Sequence, residues 1–126
     1  MKKLPMILAV LLLSGCSALS LIPSKWDGNE AKVITDIQVS TRYFDCANPA
    51  AQINELSKEI EWFKTYSQFR GTRDVGEIFK EITTTVSEFK ERTDKGPVSP
   101  MYCDLKKKIL IQQSDLTAKA VQGRFK

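Results

Sequence analysis

Asp45-Cys46-Ala47-Asn48-Pro49 separates two helical patterns and fixes how the chain is divided. Asn48-Pro49 reads as an N-cap followed by proline at the first helical position, where the missing N–H costs nothing. Upstream, Val33, Ile34, Ile37, Thr41 and Phe44 recur at three- and four-residue spacing from an N-cap at Asn29, which predicts a helix over 29–45. Residues 33–39 also fit a short strand. Downstream, Ile53, Leu56, Ile60 and Phe63 form one apolar stripe, and Trp62, Tyr66 and Phe69 form a second, offset on the same helix. That helix spans 49–70 and stops at Gly71. A third, opened by Thr72 or Asp74, covers 74–94, with Val75, Ile78, Phe79, Ile82, Val86 and Phe89 facing inward. The run Thr83-Thr84-Thr85 is weak in helix propensity, and Lys95-Gly96-Pro97 is a strong stop. The fourth helix covers 100–122, with a stripe of Tyr102, Leu105, Ile109, Leu116 and Ala120 interrupted by Gln112 and Gln113. Four amphipathic helices on short connections predict an all-α, antiparallel up-down four-helix bundle.

The N-terminus has its own character. Met1-Lys2-Lys3 is followed by ten mostly apolar residues, Leu4 to Leu13, too few for a membrane-spanning helix of about 20. Small residues then precede a cysteine in Leu13-Ser14-Gly15-Cys16. This stretch closely resembles the cleavage and lipidation box of bacterial lipoproteins. The resemblance implies that residues 1–15 are a signal peptide and that Cys16 carries diacylglycerol and an acylated amine. Each buried CH₂ contributes about 0.8 kcal/mol, so two or three acyl chains hold nearly permanently. Ser17 stands where family members retained in the inner membrane commonly carry aspartate. By that analogy the protein sits on the periplasmic face of the outer membrane. Residues 16–28, with Pro23, Gly28 and serines among Leu19, Leu21, Ile22 and Trp26, read as a lipidated tether. From Ser17 to Gly28 it reaches at most about 40 Å. Trp26 fits either the bilayer interface or packing on the domain. Residues 29–126 are then the helical periplasmic domain.

Cleavage at Cys16 removes 15 of 126 residues and leaves 111, the size of one domain. It also removes two of 19 basic residues against 15 acidic ones, so the net charge falls from +4 to +2. The basic character is partly that of the signal peptide, and nucleic acid is not an expected partner. With Cys16 assigned to lipid, Cys46 and Cys103 remain, and the oxidising periplasm implied by the resemblance makes them a disulfide. The chain has no histidine, and neither cysteine has a second one nearby, which argues against a metal. In an up-down bundle the end of the first helix and the start of the fourth share a pole, and the two cysteines occupy those places. The loop so closed is worth about 4 kcal/mol in the chain-entropy model.

No catalytic constellation is apparent, because a serine or cysteine nucleophile lacks its usual histidine base. Glu59/Glu61 and Glu88/Glu91 read as solvated surface, and neither enzymatic activity nor a cofactor is expected. Trp62, Tyr66 and Phe69 read either as core against a neighbouring helix or as a partner-binding surface. Lys106, Lys107 and Lys108 fan around the fourth helix, while Arg70, Arg73, Lys119, Arg124 and Lys126 gather toward the opposite pole. These cations suit solubility or an anionic envelope surface. The leading expectation is a membrane-anchored envelope lipoprotein whose helical domain binds or inhibits another envelope component. In its lipobox and size the chain is similar to small lipoproteins of phages and mobile elements, and the expected roles are assembly, inhibition of a receptor or channel, or surface exclusion. Two alternatives are the outer-membrane subunit of a phage spanin pair and a carrier of lipids or other apolar ligands. Gln112, Gln113, Thr41 and Thr83 to Thr85 would line such a carrier awkwardly.

Overall fold

The computed structural model describes residues 24–124. The expected signal peptide 1–15, the anchor Cys16, the tether as far as Pro23, and Lys126 lie outside the described residues. Among the described residues five helices follow in order: α1 Gly28–Arg42, α2 Pro49–Arg70, α3 Val75–Ile78, α4 Lys80–Asp94 and α5 Pro100–Gln122. No strand occurs among the described residues, so the segment 33–39 is helical within α1. None of these helices is long and apolar enough to cross a membrane.

Local chemistry sets the boundaries. Asp27, not Asn29, caps α1, its extended backbone letting the carboxylate accept from the N–H groups of Asn29 (3.0 Å) and Glu30 (2.9 Å). An anionic cap also meets the positive end of the helix dipole, an advantage the neutral Asn29 lacks. The ordered helix ends at Arg42, three residues before the predicted end. The turn that follows swings Phe44 into the core, and Asp45 Oδ1 accepts from the Ala47 N–H at 2.8 Å. Pro49 opens α2 as expected, and Asn48 precedes it without a side-chain cap bond. At the far end Gly71 takes the left-handed conformation (φ 70°), and the Thr72 N–H closes back on the Ser67 carbonyl at 2.9 Å.

The predicted third helix is divided at Phe79 (φ −92°, ψ −3°) into the single turn α3 and the longer α4. Its ring stacks on Phe63 with centroids 4.1 Å apart and is buried. Gly76 and the threonine run are weak helix formers on either side. Packing of Phe79 against Phe63 therefore prevails over regular helical geometry at this point.

The four long helices form a ring in which α1 neighbours α2 and α5, and α4 completes it between α2 and α5. Cross-links fix antiparallel directions. Ser40 bonds Glu59 and Ser67 bonds Glu30 between α1 and α2, while Lys106 pairs with Glu88 between α5 and α4. Ile34, Ile37, Ile53, Leu56, Phe63, Phe79, Ile82, Phe89, Leu110 and Val121 are among the fully buried residues that fill the interior. The expected stripes of the first three segments all contribute. On α5 the inward face differs from the expected one, being Cys103, Leu110, Ser114, Thr117, Ala118 and Val121. Leu105 and Leu116 are instead 56% and 67% exposed. The hydroxyls on this face have partners. Ser114 Oγ bonds Thr41 Oγ1 at 2.9 Å, and Thr117 Oγ1 donates to the Gln113 carbonyl at 2.7 Å.

Cys46 and Cys103 are bonded, with Cα atoms 5.9 Å apart, across the pole where α1 ends and α5 begins. A Cys46→Ser/Cys103→Ser double variant is expected to fold to the same helical content and to lose about 4 kcal/mol of unfolding free energy, read as a lower urea midpoint. An unchanged midpoint would show that the bridge does not constrain the unfolded chain.

Candidate functional site

Opposite the disulfide, the beginning and end of the described chain meet in a buried ionic cluster. The Arg124 guanidinium contacts the Glu30 carboxylate through Nη1 and Asp74 Oδ1 through Nη2 (2.8 Å). Glu30 Oε1 also accepts from Ser67 Oγ and Thr72 Oγ1, both at 2.8 Å. Ser24, within the expected tether, donates its hydroxyl to Asp74 Oδ1 at 2.7 Å. Burial pushes the Asp74 carboxyl up, but the Ser24 hydrogen bonds and Arg124 outweigh it and hold the group below the usual carboxylate range. Asp74 thus serves the cluster rather than capping α3. Arg124 is not an anion-binding group at this pole: its side chain is fully buried and committed to two carboxylates.

The sequence reading missed Glu30. One signal was present, because Glu30 precedes Ile34, Ile37 and Thr41 in the register of the buried stripe. A carboxylate there requires a buried cation, and the cation comes from the other end of the chain.

The second stripe of α2 lies on the surface. Ile53, Leu56, Ile60, Phe63 and Ser67 occupy the buried side of the helix, which leaves the flanking positions outward. Trp62 and Tyr66 stack with centroids 5.0 Å apart and planes within 8°. Trp62 remains 48% exposed and Phe69 87% exposed. The stack is held at one end, where the Tyr66 hydroxyl accepts from Asn29 Nδ2 at 2.8 Å and Arg70 pairs with Asp27 at 3.2 Å. The result is an aromatic ledge fixed to the start of α1, with Phe69 projecting near its end. Trp26 stands close by on the chain, its ring lying over Gly28.

The three lysines of α5 have separate fates. Lys106 pairs with Glu88 at 2.9 Å and sits 5.8 Å from the centre of the Tyr102 ring. Lys107 Nζ donates to the Phe44 carbonyl at 2.7 Å, tying the chain after α1 to α5. Lys108 is exposed. Two of the three therefore brace the bundle, and they do not form one continuous cationic patch. Among the described residues no group of three or more histidine, cysteine or carboxylate side chains is arranged to hold a metal ion. Compared with known protein families, with curated proteins and with solved structures, the chain matches none.

Of the carboxylates read as solvated surface, Glu88 carries the Lys106 pair and Glu61 and Glu91 are exposed, but Glu59 is half-buried. Burial pushes its carboxyl above the usual range. Ser40, donating to Oε1 at 3.2 Å, opposes the shift, and Asp36 and Glu55 add to it. Its Oε2 atom is buried without a hydrogen-bond partner among the described residues. A raised folded-state value means that the native protein holds this proton more tightly than the unfolded chain. Stability is then lost as pH rises from the unfolded value, about 4.3, through the folded one. Glu59→Gln should therefore unfold at higher denaturant than wild type at pH 7, with the difference disappearing below about pH 4. A variant less stable at pH 7 would contradict this reading.

Proposed function

We propose that this chain is a lipid-anchored envelope lipoprotein with no enzymatic activity, and that its helical domain captures another envelope protein on the aromatic ledge of α2. The observation that carries the reading is the exposed, stacked Trp62–Tyr66 pair with Phe69 beside it on a helix whose core duty is already met by a separate stripe. Aromatic rings with few rotatable bonds lose little entropy on association and are common binding anchors. Fixing the Tyr66 hydroxyl to the start of α1 reduces that loss further.

The lipoprotein resemblance supplies the setting. Cys16 lies eight residues before Ser24, whose hydroxyl is held by Asp74. The tether thus enters at the ionic pole, and α2, about 33 Å long, leads from the disulfide pole to it. Phe69 and Tyr66 lie on the last turns of α2, toward the tether, and Trp62 one turn further away. A partner reaching this ledge meets it on the membrane-facing half of the domain.

A photo-crosslinking residue placed at Phe69 in intact cells is expected to yield one discrete adduct with an envelope protein. Trp62→Ala should abolish that adduct while leaving the melting temperature within about 2 °C of wild type, because little core packing is lost. Loss of adduct accompanied by a matching loss of stability would return the stripe to a structural role.

A further inference from the structure

On the flank of α2 away from the aromatic ledge, the end of α2, the turn through Thr72 and Arg73, α3 and the start of α4 enclose a groove of about 460 Å³. Its cations are Lys64 of α2, Arg73 of the turn and Lys80 of α4, and no carboxylate lines it. Arg73 and Lys80 make no ion pair among the described residues, and Lys64 has only a 3.7 Å contact with the exposed Glu61. Val75 and Phe79 supply apolar wall. Thr83 Oγ1 is buried at the same groove with no hydrogen-bond partner among the described residues, a polar atom at a place where such atoms are normally satisfied. Three cations lining a groove that no carboxylate enters raise the local positive potential there, which an anion relieves. Arg73 adjoins Asp74, the residue that receives Ser24, so the groove sits at the pole where the tether arrives. The eight residues from Cys16 to Ser24 span at most about 28 Å, which keeps the groove within reach of lipid headgroups.

We propose that this groove binds the phosphate of an anionic phospholipid headgroup, with Lys64, Arg73 and Lys80 as its charge partners and the Thr83 hydroxyl as a further donor. The guanidinium of Arg73 offers a two-pronged contact to phosphate oxygens, and the lysines add point charge. Binding here would hold the bundle with its ionic pole against the bilayer and turn the ledge of α2 along the membrane surface. The lipid source of the phosphate rests on the lipoprotein reading above, whereas the phosphate chemistry of the groove does not.

The test uses the full chain in neutral detergent, titrated with glycerol 1-phosphate and with inorganic phosphate, and in parallel its retention on phosphatidylglycerol and phosphatidylcholine vesicles. To separate groove from anchor, every measurement is repeated with Cys16→Ser. Arg73→Ala/Lys80→Ala, both changes lying at exposed positions, should weaken glycerol 1-phosphate binding at least about tenfold, given the strength of charge-assisted hydrogen bonds. Circular dichroism should remain unchanged, and added salt should weaken the wild-type affinity. Thr83→Val, which keeps the shape and removes the hydroxyl, should weaken it to a lesser degree. Preference of Cys16→Ser for phosphatidylglycerol over phosphatidylcholine vesicles, lost in the groove variant, supports a lipid headgroup as occupant. Binding of the soluble phosphates without any vesicle preference overturns the lipid source and assigns the groove to free phosphate compounds. Affinity that the groove substitutions leave unchanged, or no binding of any of these probes, overturns the site. Failure of Cys16 to carry lipid removes the anchor and leaves the groove result standing.

Discussion

The fold depends on the pairing of α1 with α5, which is locked by different chemistry at its two ends. At one pole the lock is covalent, Cys46 to Cys103. At the other it is ionic, with Arg124 set between Glu30 and Asp74. Removing two carboxylates and a guanidinium from water is expensive, and mutual attraction offsets that only when geometry and additional hydrogen bonds are good. Here Ser67, Thr72 and Ser24 provide those bonds. The cluster is thus a convergence point for the segment before α1, the start of α1, the end of α2, the turn before α3 and the residues after α5. An ion cluster of this kind specifies which ends meet, while the stacked phenylalanines and aliphatic residues supply the driving force for burial.

Much of the architecture is legible in residue spacing, for identifiable reasons. Pro49, Gly71 and Gly96-Pro97 act through backbone restrictions that no packing overrides. The stripes of α1, α2 and the 74–94 segment are built of large apolar residues, so periodicity finds them. On α5 the inward face is small and partly polar, and Ser114 and Thr117 are invisible to a hydrophobic count, while Leu105 and Leu116 draw the eye to the wrong side. Glu30 and Arg124 escape for a related reason, since each becomes a credible core residue only once its distant partner is known. The division at Phe79 follows from a ring contact with Phe63 that spacing alone does not encode.

The surface features differ in the same respect. Trp62, Tyr66 and Phe69 stand out in the sequence, but whether they face in or out depends on which stripe of α2 the other helices cover. The structure gives that place to Ile53, Leu56, Ile60 and Phe63 and leaves the aromatic stack outside. The run Lys106-Lys107-Lys108, which fans around the helix in sequence, is largely absorbed into bracing contacts. The groove of Lys64, Arg73 and Lys80 has no local sequence signature at all, because its parts are brought together by the Gly71 turn and the break at Phe79. Ledge and groove both lie toward the ionic pole. In the proposed setting, anchoring, headgroup contact and partner capture would share one half of a bundle whose other half is closed by the disulfide.

In the proposed setting, a covalently stapled helical bundle hangs from a membrane by a lipid on its first mature residue. Intact-mass analysis of the exported protein, with alkylation of free thiols before and after reduction, tests it most directly. The account predicts a chain beginning at Cys16 and carrying acyl mass there, with no alkylation until reduction exposes two thiols. A chain retaining residues 1–15 or lacking acyl mass, or one alkylated at Cys46 and Cys103 without reduction, would contradict it.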